Sequence, residues 1–345
     1  MPKNRYYDGP ASDHFDGRFF NTAPPTRDKT LADIRRWRRT SQRTHWPARV
    51  PVHPAMPDAR VDGTRITLVG HATVLIQTGG LNLLTDPVWS NRCSPVQFAG
   101  PKRVCAPGVR FDDLPPIDAV LLSHNHYDHL DMATLRRLVR DHDPLIITPL
   151  GNDTLVRKAA PRARIVTGDW WASQTLKSHV LPGVEVTFVP AQHWSARGIR
   201  DRRMALWCGF HVRAGADTVY FAGDTGYGDG SLFSTIRSRL GSPDVALLPI
   251  GAYAPRWFMA DQHTDPAEAV RILQDLDAKQ AIAIHWGVFP LSDEGRDAPV
   301  HELGLALRAH SIAPARFRHD EPGGVIAISP FSGGGDPAVR QSAPR

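Results

Sequence analysis

Four side chains able to bind a metal ion fall within six residues, at His124, His126, Asp128 and His129, in the stretch Ser123-His124-Asn125-His126-Tyr127-Asp128-His129-Leu130-Asp131. Imidazole together with carboxylate suits zinc or a similar first-row ion, with iron and manganese left open by the ligand types. Residues i and i+2 share a face only where the backbone is extended. His124 and His126 can therefore grip one ion from an extended turn, while the adjacent Asp128 and His129 diverge from them and can serve a second. Cysteine is a poor candidate for the metal. Cys93, Cys105 and Cys208 are scattered, and no C-x-x-C is present. Their odd number also argues against a disulfide framework and for a reducing compartment.

The elements around this stretch must hold it at an edge. Upstream, Ile117-Asp118-Ala119-Val120-Leu121-Leu122 is a short apolar run of the kind that makes a buried strand; downstream, Leu135, Leu138 and Val139 fall at helical spacing. The cluster thus sits where a strand ends and a helix begins, a usual place for a site in an α/β layer. Strand patterns occur at 65–69, 73–77, 81–85, 145–148, 164–166, 184–189, 204–212, 218–221, 245–248 and 281–284. Helical patterns occupy 231–240, 266–276 and 300–309, with Pro266 in the favoured first turn. Many strands with interspersed helices predict two sheets covered by helices on their outer faces. Residues 87–116 read as one long irregular stretch, of the length that often walls a site.

The net charge of +6 is concentrated. Between Arg27 and Arg49 there are eight basic residues and two acidic ones, an excess equal to that of the whole chain. Residues 1–26 read as an extended arm, ordered only if Tyr6, Tyr7, Phe15, Phe19 and Phe20 dock on the body. Thr30 reads as an N-cap with Asp33 at the third helical position. Leu31, Ile34 and Trp37 form an apolar stripe beside Arg35, Arg36, Arg38 and Arg39. A short basic amphipathic helix follows, which either meets an anionic membrane through residues 30–43 or packs by its stripe onto the body. No apolar run approaches the roughly 20 residues of a membrane span. The polar start does not read as a secretory signal, so a cytoplasmic place is expected, peripheral to the inner face of the membrane if the basic helix meets it. The domain division is an arm at 1–60, a folded domain at 61–330 and a disordered tail at 331–345.

Further candidate ligands stand at other strand ends: His193 in Pro190-Ala191-Gln192-His193-Trp194, Asp224 in Ala222-Gly223-Asp224-Thr225-Gly226, and His285 in His285-Trp286-Gly287. A fourth strand end carries Asp86, in Thr85-Asp86-Pro87. With these, the pattern resembles the metallo-β-lactamase superfamily over roughly residues 64–290. The resemblance implies a four-layer αββα sandwich with a two-metal site at its edge. His124, His126 and His193 would hold one ion, Asp128, His129 and His285 the other, and Asp224 would bridge; Asp86 would be a structural aspartate beneath the ligand loop. Gly70-His71-Ala72-Thr73, Thr85-Asp86-Pro87-Val88, Gly223-Asp224-Thr225-Gly226-Tyr227, Pro249-Ile250-Gly251-Ala252-Tyr253, Arg256-Trp257-Phe258-Met259 and His285-Trp286-Gly287 are similar to the branch of N-acyl-phosphatidylethanolamine-hydrolysing phospholipases D.

That branch implies a zinc phosphodiesterase that releases an N-acylethanolamine and phosphatidic acid, using water activated between two ions. Asp128 and Asp224 would act at that water. His263, in Asp261-Gln262-His263-Thr264-Asp265, is the candidate for proton donation to the leaving oxygen or for phosphate contact. Tyr253, Trp257, Phe258 and Met259 would form a lipid-facing wall, and His71 is either a support for the ligands or a packed turn residue. The rival reading is a two-metal hydrolase of a small soluble substrate, a lactone or a sugar phosphate. A nuclease is disfavoured because residues 60–330 carry no basic-aromatic track, so nucleic acid is not an expected partner. A non-catalytic metal-binding protein is disfavoured because no ligand is missing. A homodimer is compatible with the sequence but not specified by it.

Overall fold

The computed structural model describes residues 4–22 and 28–328. The tail expected at 331–345 lies outside the described residues. Two seven-stranded mixed sheets face each other. The first contains β1 (Arg65–Gly70), β2 (Thr73–Thr78), β3 (Leu81–Thr85), β4 (Ala119–Leu121), β5 (Leu145–Pro149), β6 (Arg164–Gly168) and β14 (Val325–Ala327), in the order β14-β1-β2-β3-β4-β5-β6. The second contains β7 (Ser173–Leu176), β8 (Val184–Val189), β9 (Gly209–Ala214), β10 (Asp217–Phe221), β11 (Val245–Pro249), β12 (Gln280–Ile284) and β13 (Phe317–Arg318), in the order β13-β12-β11-β10-β9-β8-β7.

Strand periodicity explains the layers, because alternate residues point to opposite faces. In β11, Val245 and Leu247 enter the core between the sheets, while Ala246 and Leu248 face outward. That inner core also takes Val74 and Ile76 of β2, Val186 and Phe188 of β8, and Ile282 and Ile284 of β12. The outer face of the first sheet is covered by α2 (Met132–His142) and α3 (Asp153–Ala159), through Leu135, Leu138, Leu155 and Val156. The second is covered by α4 (Ser231–Leu240), α6 (Pro266–Asp275) and α7 (Ala298–Ala309), through Phe233, Ile236, Ile272, Leu273, Leu303 and Leu307. The molecule is therefore an αββα sandwich, as the strand and helix patterns predicted.

The described residues of the arm dock on the body. Phe19 is fully buried, Tyr6 nearly so, and Tyr7 and Phe15 pack against the inner core. Helix α1 (Leu31–Thr40) begins with the expected reciprocal cap: Asp33 N donates to Thr30 Oγ1 at 3.2 Å and Thr30 N donates to Asp33 Oδ2 at 2.8 Å. Its stripe meets the body at Trp37, whose ring lies 4.8 Å from that of Phe258 and whose Nε1 donates to Asp293. Leu31, at the start of the stripe, remains 73% exposed. Among the described residues no helix is long and apolar enough to cross a membrane.

Two expectations change. The apolar run 204–212 becomes a strand only from Gly209. Residues 204–208 are irregular because their backbone bonds go elsewhere: Leu206 N donates to Leu150 O and Cys208 N to Ser123 O, across to the first sheet. Of the aromatic wall, Tyr253, Phe258 and Met259 are buried and only Trp257 is exposed. Phe258, in the short helix α5 (Arg256–Met259), is taken up by packing against Trp37.

Candidate metal centre

Every site residue leaves its element at one edge of the sandwich. His124, His126, Asp128 and His129 follow β4; His193 follows β8, Asp224 follows β10, and His285 follows β12. The strands are parallel at β3-β4-β5 and β10-β11-β12, so their carboxyl ends open onto a common rim. The turn into α2 holds the far side of the ligand loop. Asp131 caps that helix by accepting from Ala133 N at 3.0 Å and also accepts from Ser90 N at 2.9 Å. Gly223 lets the chain turn into Asp224: its φ is +60°, and an added Cβ would lie 3.0 Å from both Cys208 O and Ser123 Cβ.

The seven side chains meet in two groups. His124 Nε2 lies 3.0 Å from His126 Nδ1, which lies 3.2 Å from His193 Nε2. In the second group, Asp128 Oδ2 lies 3.5 Å from His129 Nε2 and 3.3 Å from His285 Nε2. Asp224 stands between them. Its Oδ2 is 3.9 Å from His124 Nε2, 3.7 Å from His193 Nε2 and 3.2 Å from His129 Nε2, and its Oδ1 is 3.1 Å from His285 Nε2. Donors about 2.0–2.2 Å from one tetrahedral ion stand roughly 3.3–3.6 Å apart, so these separations suit shared cations. Four buried atoms of the cluster, His126 Nε2, His129 Nε2, Asp224 Oδ1 and His285 Nδ1, have no hydrogen-bond partner, and buried polar atoms left so are costly. The residues present fit two metal ions.

Charge follows the same geometry. Burial would raise Asp128 and Asp224, but His129 and the other surrounding imidazoles outweigh it and hold both carboxyls well below their usual range. Burial pushes His124 and His193 well down, and His126 to about 4. His129 and His285 are also penalised by burial, yet the attraction of Asp224 and Asp128 prevails and raises His285 to about 9 and His129 well above its ordinary value. Both shifts favour the protonated imidazole in the metal-free cluster, and protons there compete with an incoming ion.

His263 joins the rim from the loop between α5 and α6. Its Nδ1 lies 3.8 Å from Asp224 Oδ2, and its side chain is 13% exposed. His71, in the turn between β1 and β2, supports the second group. Its Nε2 lies 3.0 Å from Asp128 Oδ2, and its carbonyl accepts from His285 N at 2.9 Å.

A family described as the beta-lactamase superfamily domain matches residues 81–286. The chain belongs to the metallo-β-lactamase superfamily. It is 39% identical over 251 residues to N-acyl-phosphatidylethanolamine-hydrolyzing phospholipase D 1 of Caenorhabditis elegans, covering 70% of this chain and 69% of that one. It is 34% identical over 329 residues to an uncharacterized protein of Mycobacterium tuberculosis, covering 92% and 86%. The isothiocyanate hydrolase of Delia radicum gut bacteria shares the fold, with a TM-score of 0.61 at 24% identity over 77% of this chain and all of the other. Like its superfamily relatives, among them a metal-dependent hydrolase of Methanopyrus kandleri at 30% identity over 72% of this chain, it is a metal-dependent hydrolase.

As a metallo-β-lactamase-fold protein it carries its buried aspartate under the ligands. Asp86 is fully buried and accepts three bonds: from Ser123 N at 2.7 Å, Ser123 Oγ at 2.6 Å and His129 Nδ1 at 2.6 Å. His124 Nδ1 in turn donates to Ser123 Oγ at 2.9 Å. One carboxylate thus sets the tautomer of two histidines and turns both Nε2 atoms outward. Reasoning from the sequence missed three supports: the Gln262 carbonyl, which accepts from His193 Nδ1 at 2.9 Å; Arg197, whose guanidinium ties down the Asn125 and Leu130 carbonyls; and Asn21 of the arm. A carbonyl leaves no trace in residue type, and the other two stand far along the chain from what they hold.

Proposed function

We propose that the protein is a two-zinc phosphodiesterase of phospholipase D type, acting on N-acyl-phosphatidylethanolamine-like lipids. The observation that carries the reading is the sharing of Asp224 between two complete donor groups, in a chain 39% identical to the phospholipase of C. elegans. His124, His126 and His193 would hold one ion, Asp128, His129 and His285 the other, with Asp224 on both. Bound there, a pair of zinc ions supplies an acidified water and polarises the phosphoryl oxygen.

The chain's own residues do the rest. Asp128, 14% exposed and steadied by His71, accepts a hydrogen bond from the attacking water and aims it at phosphorus. His263 stands at the mouth, where a leaving alcohol needs a donor. Burial pushes its pKa down to about 4, so it meets substrate as a neutral imidazole. Its N–H can donate to a phosphoryl or leaving oxygen, and the phosphate's charge favours its protonation. Beside the site, Trp257 is 38% exposed with the Arg36 guanidinium 4.3 Å over its ring, and Leu31 is exposed on α1. Apolar side chains flanked by arginines suit contact with an anionic membrane through residues 30–43, from the cytoplasmic side.

A second reading, hydrolysis of a small soluble substrate, is favoured by one fact: most of the expected lipid-facing wall is buried. Hydrolysis of N-acyl-phosphatidylethanolamine in mixed micelles, run beside a soluble chromogenic phosphodiester and a lactone, separates the two. Release of N-acylethanolamine that is lost on metal stripping and in Asp224→Asn is the expected result. Activity on the soluble compounds alone would overturn the phospholipase reading. Turnover by His263→Ala equal to wild type at every pH would remove His263 from the mechanism.

A further inference from the structure

His193 lies four residues beyond the end of β8, where no strand ladder remains to hold its peptide. Its ring is fixed by the Gln262 carbonyl. Its backbone is fixed by a residue 172 positions earlier. Asn21 Nδ2 donates to His193 O at 2.9 Å, and His193 N donates to Asn21 Oδ1 at 3.3 Å. A single side-chain amide thus pairs with both peptide groups of the residue, as a neighbouring strand would. The same Oδ1 accepts from Trp207 Nε1 at 3.2 Å, which keeps the amide oriented. Asn21 is itself buried, so each of these bonds is made away from competing water.

The arm has anchors besides Asn21. Phe19 is fully buried and its N donates to Arg203 O at 2.8 Å. Tyr6 Oη donates to Asp201 Oδ2 at 2.7 Å, and the His14 ring stacks on Trp170 at 4.0 Å. Asn21 therefore serves the metal edge alongside these other anchors of the arm. We propose that Asn21 is a positioning residue for His193, which makes the N-terminal arm a working part of the metal centre. The inference rests on the two-metal reading.

The test is zinc binding by the metal-stripped full chain, measured by competition with a chromogenic chelator that resolves two successive constants. Loss of a supporting partner typically weakens a metal about 10–100-fold. Asn21→Ala should weaken one constant by about that factor and leave the other unchanged. Asn21→Asp, which keeps the acceptor but sets an oxygen against His193 O, should weaken the same one. Tyr6→Phe, which removes an arm staple without touching His193, should bind both ions as wild type does. Combining Asn21→Ala with His193→Ala should add nothing to His193→Ala alone. Wild-type affinity for both ions in Asn21→Ala, or equal weakening of both in Asn21→Ala and Tyr6→Phe, would overturn the proposal. If Asn21→Ala does not fold, Asn21→Asp decides by the same criterion. A wild-type chain that binds no zinc would instead defeat the two-metal reading itself.

Discussion

Asp86→Asn perturbs the one carboxylate on which two metal-facing histidines depend. Its two oxygens serve three donors: Oδ1 takes Ser123 N, and Oδ2 takes Ser123 Oγ and His129 Nδ1. An amide has one oxygen. Placed where Oδ2 was, it keeps two donors and turns its NH₂ against the Ser123 peptide N–H. A buried donor left unsatisfied costs about 1–3 kcal/mol. The bond from His129 also loses its charge assistance, which roughly halves its strength. Asp86→Ala strands all three donors and leaves His129 unpaired, at about 3–5 kcal/mol. Urea unfolding of the metal-free chain should therefore rank wild type, Asp86→Asn and Asp86→Ala in falling order. Zinc affinity on the His129 side should fall about 10–100-fold in the asparagine variant. If Asp86→Asn unfolds at the wild-type urea concentration and binds zinc as tightly, the carboxylate is not what orients these histidines.

Gly251→Ala should destabilise by about 1–3 kcal/mol and loosen the His285-side ion, because its Cβ would sit 2.3 Å from His285 O; wild-type unfolding and metal content would refute this. Chelation should abolish hydrolysis reversibly and lower the melting temperature, since zinc at a hundred times its Kd adds about 2.7 kcal/mol to the folded state; an unmoved transition on stripping would count against a resident metal. The metal-free chain should be most stable near pH 6.5. Below that value the unfolded histidines take up protons that His126 and His263, lowered to about 4, refuse, so stability falls with pH. Above it, His285, raised to about 9, loses the proton that binds it to Asp224 and Asp128, so stability falls again as pH rises through about 9. A urea midpoint that changes in one direction only from pH 4 to 9 would contradict that pair of signs.

The residues that meet at the rim were readable because each sits where a strand pattern stops, and strand ends are set by local sequence. The Thr30–Asp33 cap was readable for the same reason. What resisted reading depends on partners distant in the chain. Met204–Cys208 is as apolar as a strand, but apolarity reports burial and not which backbone it bonds. Phe258 and Met259 have the residue types of a lipid wall, yet α1 claims Phe258 through Trp37. Asn21 has no local signal, since its meaning lies in His193. Strand β14 has three residues, and it exists because β1 offers Arg65 to Ala327 and Ile66 to Ile326.

That pairing imposes an order on synthesis. Strand β1 is among the first parts of the sandwich to leave the ribosome, while β14 follows the thirteen other strands. Until it arrives, β1 presents unpaired amides and carbonyls at an open edge, the kind of surface on which nascent chains pair with one another. The turn before β14 is bound to the same edge, with Gly323 N donating to Leu68 O and Leu68 N to Gly324 O. Translation that stalls or ends before residue 325 would leave a nearly finished enzyme with its first strand sticky.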